Sequence, residues 1–105
     1  MDKKTQARLK TRAAVMKAVA HPTRLFILEQ LENGEKTVGE LTDMIGADIS
    51  TVSKHLLVMK NLGIVEDEKR GSQVFYRLKC RCIMKFFSCA EEVMKAAVKN
   101  RQELG

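Results

Sequence analysis

The sequence lacks any apolar run long enough to cross a bilayer as a helix. A signal-peptide core is missing as well: residues 2–12 carry five basic side chains, and the apolar stretch that follows is broken by Lys17 and ended by His21 and Pro22. We therefore expect a cytosolic protein with no membrane partner.

The motifs of common enzymes are also missing. The chain has no Gly-rich phosphate loop and no nucleophile with a neighbouring base, and 105 residues leave little room for a substrate cleft. Cys80 and Cys82 are one residue apart, which is not the Cys-x-x-Cys spacing of thiol oxidoreductases. Three cysteines are an odd number and argue against a disulfide framework, so we expect reduced thiols. These absences predict a non-enzymatic single domain spanning residues 1–105, with no constitutive cofactor.

The charge balance favours a polyanionic partner. The 19 Lys and Arg residues outnumber the 13 Asp and Glu residues, which gives a formal net charge of +6. A basic surface suits nucleic acid, although charge alone does not establish binding.

Apolar periodicity predicts four helices before residue 62. The first two are expected at Thr5–Ala20 and from Pro22 to about Gly34. Their expected buried positions are Leu9, Ala13, Met16 and Ala20 in the first helix, and Leu25, Leu28 and Leu31 in the second.

The next two helices form a predicted helix-turn-helix. Thr37 and Glu40 have the spacing of a capping box, and Gly46 supplies a left-handed stop to the third helix. Asp48 or Ser50 can cap a fourth helix that runs to about Asn61. The expected buried residues are Val38, Leu41, Met44 and Ile45 in the third helix, and Val52, Leu56 and Met59 in the fourth.

The remaining segments complete a winged helix-turn-helix that is mainly α with a small β-hairpin. The hairpin is expected from Ile64–Glu68 and Gln73–Leu78 around the turn Lys69–Ser72, and it forms a basic wing. A last amphipathic helix is expected at about 82–104. The helices at about 5–20 and 82–104 carry more apolar surface than one small domain can cover, so we expect a homodimer through these two helices.

The outward face of the fourth helix and the wing predict binding to double-stranded operator DNA. Hydroxyl and basic side chains there are the types that contact phosphates and base edges. The candidate DNA-binding residues are Ser50, Thr51, Ser53, Lys54 and His55 on the helix, and Lys69, Arg70 and Gln73 on the wing. Hydroxyls contact several bases, so the operator sequence is not readable from them.

Three segments resemble ArsR-type metalloregulatory repressors: 20–25 (AHPTRL), 50–56 (STVSKHL) and 70–78 (RGSQVFYRL). The resemblance covers about residues 13–78 and implies a homodimeric winged-helix repressor that releases operator DNA when an inducer binds. Family members often have Asp in place of His21 and Gln in place of Ile49. The third helix has no cysteine for the common thiolate sensor, and the Asp and His ligands that some zinc-sensing members place on the last helix are missing.

The candidate inducer site consists of Cys80, Cys82 and Cys89. Cys82 and Cys89 are seven residues apart, a rise of roughly 10 Å, so one ion cannot bind both in a straight helix. Either the segment before the helix folds back, or Cys89 meets the other two thiols across the dimer. Basic neighbours and a helix start would favour reactive thiolates.

Thiolates without a nearby histidine suit As(III) or Sb(III) better than zinc, which prefers four ligands. An arsenite- or antimonite-responsive repressor is therefore the leading hypothesis. Cadmium or lead, and a redox or persulfide switch of the same thiols, are alternatives within this fold. A further alternative is an inducer-independent DNA-binding protein with structural cysteines, whose DNA affinity would depend steeply on salt and would not respond to any inducer.

Overall fold

The computed structural model describes residues 1–104 and places five helices and three short strands in this part of the chain. In chain order they are α1 (Lys3–Val19), α2 (Pro22–Glu32), β1 (Lys36–Thr37), α3 (Val38–Ile45), α4 (Ile49–Asn61), β2 (Val65–Arg70), β3 (Gln73–Leu78) and α5 (Cys82–Leu104). None of the described helices has the length and apolar character needed to cross a membrane.

Local capping explains where α3 and α4 begin and end. The Thr37 hydroxyl accepts the Glu40 N–H at 3.0 Å, and the Glu40 carboxylate accepts the Thr37 N–H at 3.2 Å, so the predicted capping box is confirmed. Gly46 ends α3 with a φ of 78°, as expected for a left-handed stop. Asp48, rather than Ser50, caps α4 by accepting the Thr51 N–H at 2.8 Å.

The wing is part of a three-stranded antiparallel sheet in which β3 lies between β1 and β2. Arg70 pairs with Gln73, so β2 continues through two residues that the sequence placed in the turn, and the loop shortens to Gly71 and Ser72. Gly71 has a φ of 63°, whereas no non-glycine residue described has a positive φ, which is the pattern of a type II′ turn. The two-residue strand β1 was not predicted; it joins the sheet through Lys36 and Thr37.

The core lies between α2, α3, α4 and the inner face of the sheet. Val52, Leu56 and Met59 of α4 are fully buried, as their spacing predicts. Buried side chains on the other elements surround them: Ile27, Leu28 and Leu31 of α2, Leu41 of α3, Ile64 and Val65 at the start of β2, and Tyr76 and Leu78 of β3.

The buried face of α1 differs from the predicted one. Ala18 and Val19 are buried and Val15 packs against the core, whereas Met16, which was expected to be buried, is 47% exposed. A helix turns by about 100° per residue, so the predicted buried stripe is centred roughly 130° around α1 from the face that is buried in the structure. The predicted stripe consists of Leu9, Ala13, Met16 and Ala20. Ala13, Met16 and Ala20 of the predicted stripe are therefore exposed in this chain and Leu9 is half-buried, because α1 packs against the core through its last turns.

Two other residues predicted for the core are partly exposed. Leu25 is 37% exposed beside a cleft between α2 and α5, and Met44 is 46% exposed beside a cleft formed with Pro22 and Phe26. In both α2 and α3 the apolar periodicity predicted the helix correctly. Leu25 and Met44 lie at the edge of the buried face of their helix and are therefore only partly covered.

The apolar face of α5 is covered only near its beginning. Ile83 is buried, and Met84 and Phe87 pack against the core. Residues 91–103 are all exposed, including large apolar side chains at Val93, Met94 and Val98. The chain thus presents a long uncovered apolar surface on this helix.

Candidate DNA interface and thiol site

The helix-turn-helix consists of α3 and α4, and α4 presents a polar face opposite its buried stripe. Ser50, Thr51, Ser53 and Lys54 are all exposed, as the sequence predicts. They lie in the first half of the helix, which in a helix-turn-helix is the part that contacts base edges.

Asp48 organises the hydroxyls at the start of this face. Its carboxylate accepts the Ser50 hydroxyl at 2.6 Å and the Thr51 hydroxyl at 3.0 Å. The Ser50 hydrogen bond, followed by those from Thr51, lowers the pKa of Asp48 to about 2. Because the hydroxyl protons point to Asp48, Ser50 and Thr51 present lone pairs to a ligand and act as acceptors. The sequence predicted Asp48 only as a possible helix cap.

His55 lies on a different flank of α4 from Lys54. Its Nδ1 accepts the Arg24 Nε–H at 3.0 Å, and its ring lies 4.5 Å from the ring of His21. Arg24 also donates to the Ala18 carbonyl at 3.2 Å. Burial, and then the charges of His21 and Arg24, lower the pKa of His55. The half-buried His55 therefore connects α4 to α1 and α2 and is set apart from the other helix residues predicted to contact DNA.

The predicted basic wing is in fact balanced in charge. Residues 65–78 contain three acidic and three basic side chains. Arg70, predicted to contact DNA, is exposed at the surface, but its guanidinium is bound by other side chains of the same chain. Its guanidinium donates to Glu35 at 2.6 and 3.1 Å and to Glu68 at 2.6 and 2.9 Å, and lies 4.4 Å from the centre of the Phe75 ring. The hydrogen bonds from Arg70 lower the pKa of both carboxyl groups. Lys69 and Gln73 are exposed beside it.

Glu35 and the wing carboxylates are functional candidates that the sequence did not suggest. Arg77 donates to Glu66 at 3.3 Å and to Glu68 at 3.1 Å, and lies 3.6 Å from Glu35. Two guanidinium groups thus face three carboxylates on the outer surface of the sheet. Glu35 is 35 residues from Arg70, so only the pairing of β1 with β3 brings them together.

Two of the three predicted thiols meet at the junction of the wing and α5. The Sγ atoms of Cys80 and Cys82 are 3.6 Å apart; Cys80 is half-buried and Cys82 is exposed. Cys89 is exposed further along α5, and the described residues contain no group of three or more metal-binding side chains. The expectation of three thiolates around one ion is therefore not met within one chain, because α5 is helical from Cys82 onward.

The environment of Cys80 opposes early ionisation. Burial and the hydrogen bond with Cys82 raise its pKa, against a smaller lowering by the Ile83 N–H. This differs from the expected activation at a helix start, because Cys80 precedes the helix and packs against the core. The backbone N–H groups of Lys79 and Cys80 both donate to the Ile64 carbonyl, at 3.0 and 3.1 Å, which joins the thiol pair to the start of the wing.

Comparisons with known proteins agree with this arrangement. The profile of a family described as "Bacterial regulatory protein, arsR family" matches residues 21–67. The HTH-type transcriptional regulator YgaV of Escherichia coli is 36% identical over 75 residues, which are 70% of this chain and 76% of that protein. The chain belongs to the arsR family.

Two further comparisons show how much of each chain matches. The regulator NmtR of Mycobacterium tuberculosis is 42% identical over 66 residues, 63% of this chain and 55% of NmtR, so the chain spans little more than half of that relative's length. A fragment of Mb0332 from Mycobacterium bovis, described as a homodimeric winged helix-turn-helix DNA-binding domain, superposes with a TM-score of 0.79 at 28% identity, covering 95% of this chain and 93% of that one. The fold of this arsR-family chain is a winged helix-turn-helix.

Proposed function

We propose that this arsR-family chain is a homodimeric repressor that binds operator DNA and releases it when a thiophilic inducer, As(III) or Sb(III), binds Cys80 and Cys82. The observation that carries the inducer proposal is the 3.6 Å separation of the two sulfurs at the junction of the wing and α5. The repressor proposal is supported by the helix-turn-helix and by relatives that are named transcriptional regulators.

Dimer formation is supported by the uncovered apolar face of α5. Phe86, Val93 and Met94 are 51–66% exposed in the single chain, and Met16 of α1 is 47% exposed. Burying this surface against a second copy would remove several large apolar side chains from water. A twofold dimer would also place two reading helices on successive half-sites of DNA.

The sulfur separation suits a shared ligand. Metal–thiolate bonds are about 2.3 Å long in zinc sites, so two sulfurs bound to one such ion lie at most about 4.6 Å apart. At 3.6 Å, Cys80 and Cys82 meet this limit without moving the backbone. A third thiolate, which trivalent arsenic prefers, would come from Cys89 of the second copy.

Inducer binding at this pair would act on the wing through its backbone. Arsenite, As(OH)3, would exchange two hydroxyl groups for the sulfurs of Cys80 and Cys82, and the thiol protons would leave in the two water molecules released. This exchange ends the Cys80–Cys82 hydrogen bond and places a bulky neutral As–S centre beside the core. Lys79 and Cys80 share the Ile64 carbonyl, so rearrangement of this junction would change how α5 and the wing are held together. DNA affinity would fall because the two reading helices would no longer match their half-sites.

A thiol switch at the same pair is the second candidate. A disulfide needs the sulfurs to approach from 3.6 Å to about 2.05 Å, and a polysulfide bridge needs less movement. The close sulfur contact favours both reactions, so this candidate depends on the same observation and needs an oxidant or a persulfide donor instead of a metalloid.

The test is a titration of reduced protein bound to a fluorescent operator fragment, with arsenite, antimonite, cadmium, zinc and a persulfide donor as separate inducers. Arsenite should release DNA from the wild type, and Cys80→Ser and Cys82→Ser should abolish this release while DNA binding remains. Loss of response in Cys89→Ser would support a site shared across the dimer.

Three outcomes would contradict the proposal. Release by the persulfide donor alone would favour the thiol switch. A protein that binds DNA with a steep salt dependence but responds to no compound would be an inducer-independent regulator. An unchanged arsenite response in both Cys80→Ser and Cys82→Ser would refute the assigned site.

A further inference from the structure

Ile49, the first residue of α4, carries an aliphatic side chain that is 58% exposed. It belongs neither to the buried core nor to the partly buried side chains that pack against the core. Helix capping does not explain it either, since Asp48 caps α4 through its own carboxylate. A β-branched residue is also a weak helix former, so local propensity gives no reason for it.

The surroundings of Ile49 are those of a base-reading surface. A cleft of about 400 Å³ lies between the starts of α3 and α4 and the wing tip, and Ile49 lines it together with Ser53 of the next helical turn. Gln73 and Val74 of the wing line the opposite side. Ile49 thus lies on the side of α4 next to the wing, at the end of the helix that reaches base edges.

We infer that Ile49 reads the C5-methyl group of a thymine in the major groove; this inference rests on the proposed DNA-binding function. Thymine is the one base that presents an apolar group there, and apolar side chains recognise it by contact. Ser50 and Thr51, with their hydroxyl protons directed to Asp48, offer acceptors only. Ile49 can distinguish thymine from the other bases by an apolar contact, which Ser50 and Thr51 do not offer.

The stiffness of the side chain supports this role. In a helix, isoleucine occupies one strongly preferred χ1 rotamer, so its methyl groups have a defined position before DNA arrives. A contact by such a side chain loses little conformational entropy on binding.

Deoxyuridine provides a probe because it differs from thymidine only by the missing methyl group. We would select an operator from random DNA, replace each thymine of both half-sites in turn by deoxyuridine, and measure Kd by fluorescence anisotropy at one salt concentration. At one thymine per half-site the wild type should bind about fourfold more weakly, the value of burying about one methyl group. In Ile49→Ala this penalty should vanish, and in Ile49→Val it should persist in part.

Leu57→Ala is the matched control, because Leu57 is an aliphatic residue of the same helix that is 52% exposed. It should keep the full deoxyuridine penalty. If no replacement weakens the wild type by more than twofold, or if Ile49→Ala keeps the penalty, the role of Ile49 is refuted while DNA binding stands. If the wild type selects and binds no DNA, both the proposed function and this inference are wrong.

Discussion

Glu35→Gln should strengthen DNA binding by releasing Arg70 from its strongest internal partner. Glu35 accepts two hydrogen bonds from Arg70, at 2.6 and 3.1 Å, and Glu68 accepts the others. Arg70 already uses four of its five guanidinium N–H donors in these bonds, so a two-pronged contact to a phosphate would require it to give up a charge-assisted bond. Gln keeps the size and one acceptor oxygen of Glu35 but removes its charge, so the pair is weakened without emptying the space.

The size of the expected change in DNA binding follows from the charges around Arg70 and Arg77. With Glu35, three carboxylates face the guanidiniums of Arg70 and Arg77; without its charge, the cluster becomes neutral. Each new phosphate contact steepens the dependence of log K on log salt by about 0.9. A dimer with two wings should therefore show a slope steeper by up to about 1.8, with several-fold tighter binding at low salt.

The assay is anisotropy with operator DNA at a series of potassium chloride concentrations. Glu29→Gln is the matched control, since it makes the same charge change on an exposed residue of α2 that faces α5. Arg70→Gln in the Glu35→Gln background should remove the gain. Weaker binding by Glu35→Gln with an unchanged slope would refute the reasoning and would mean that Glu35 holds the wing in its DNA-binding position.

Three further predictions concern stability. Thr37→Ala should lower the free energy of unfolding by about 1 kcal/mol through loss of the capping box, whereas Thr37→Ser should not, as urea unfolding followed by circular dichroism would show. Gly46→Ala should destabilise by about 1 kcal/mol because its φ of 78° is left-handed, while Gly39→Ala, within a helix, should be neutral or stabilising; equal effects in thermal melts would contradict this. Folding lowers the pKa of His55, so stability should be complete above its ordinary value of 6.5 and decline as the pH falls through the lower folded-state value; a pH dependence unchanged in His55→Gln would refute this.

Much of the helix-turn-helix could be predicted because its signals are local. The capping box of Thr37 and Glu40 spans four residues, and Gly46 ends the same helix by donating its N–H to the Thr42 carbonyl, four residues earlier. The stripe of Val52, Leu56 and Met59 repeats at helical spacing, so its burial needs no knowledge of the partner elements. These features are predictable because each depends on residues within about two helical turns of one another.

Contacts between distant segments could not be predicted in this way. β1 is two residues long and carries no strand pattern; it is a strand only because β3 pairs with it. His55 meets Arg24 across 31 residues, and Arg70 meets Glu35 across 35. No sequence periodicity relates positions so far apart, so these two contacts could be identified only from the three-dimensional structure.

The sequence by itself determined the winged helix-turn-helix class, the order of its helices and the exposed hydroxyls of α4, because these follow from hydrophobic period and capping chemistry. The tertiary structure decided which face of α1 is buried and that Glu35 and Glu68 bind Arg70. It also decided that Cys80 and Cys82, without Cys89, form the close thiol pair. The physical reason is that burial and pairing depend on which surfaces meet in three dimensions, and a helix or strand pattern leaves that choice open.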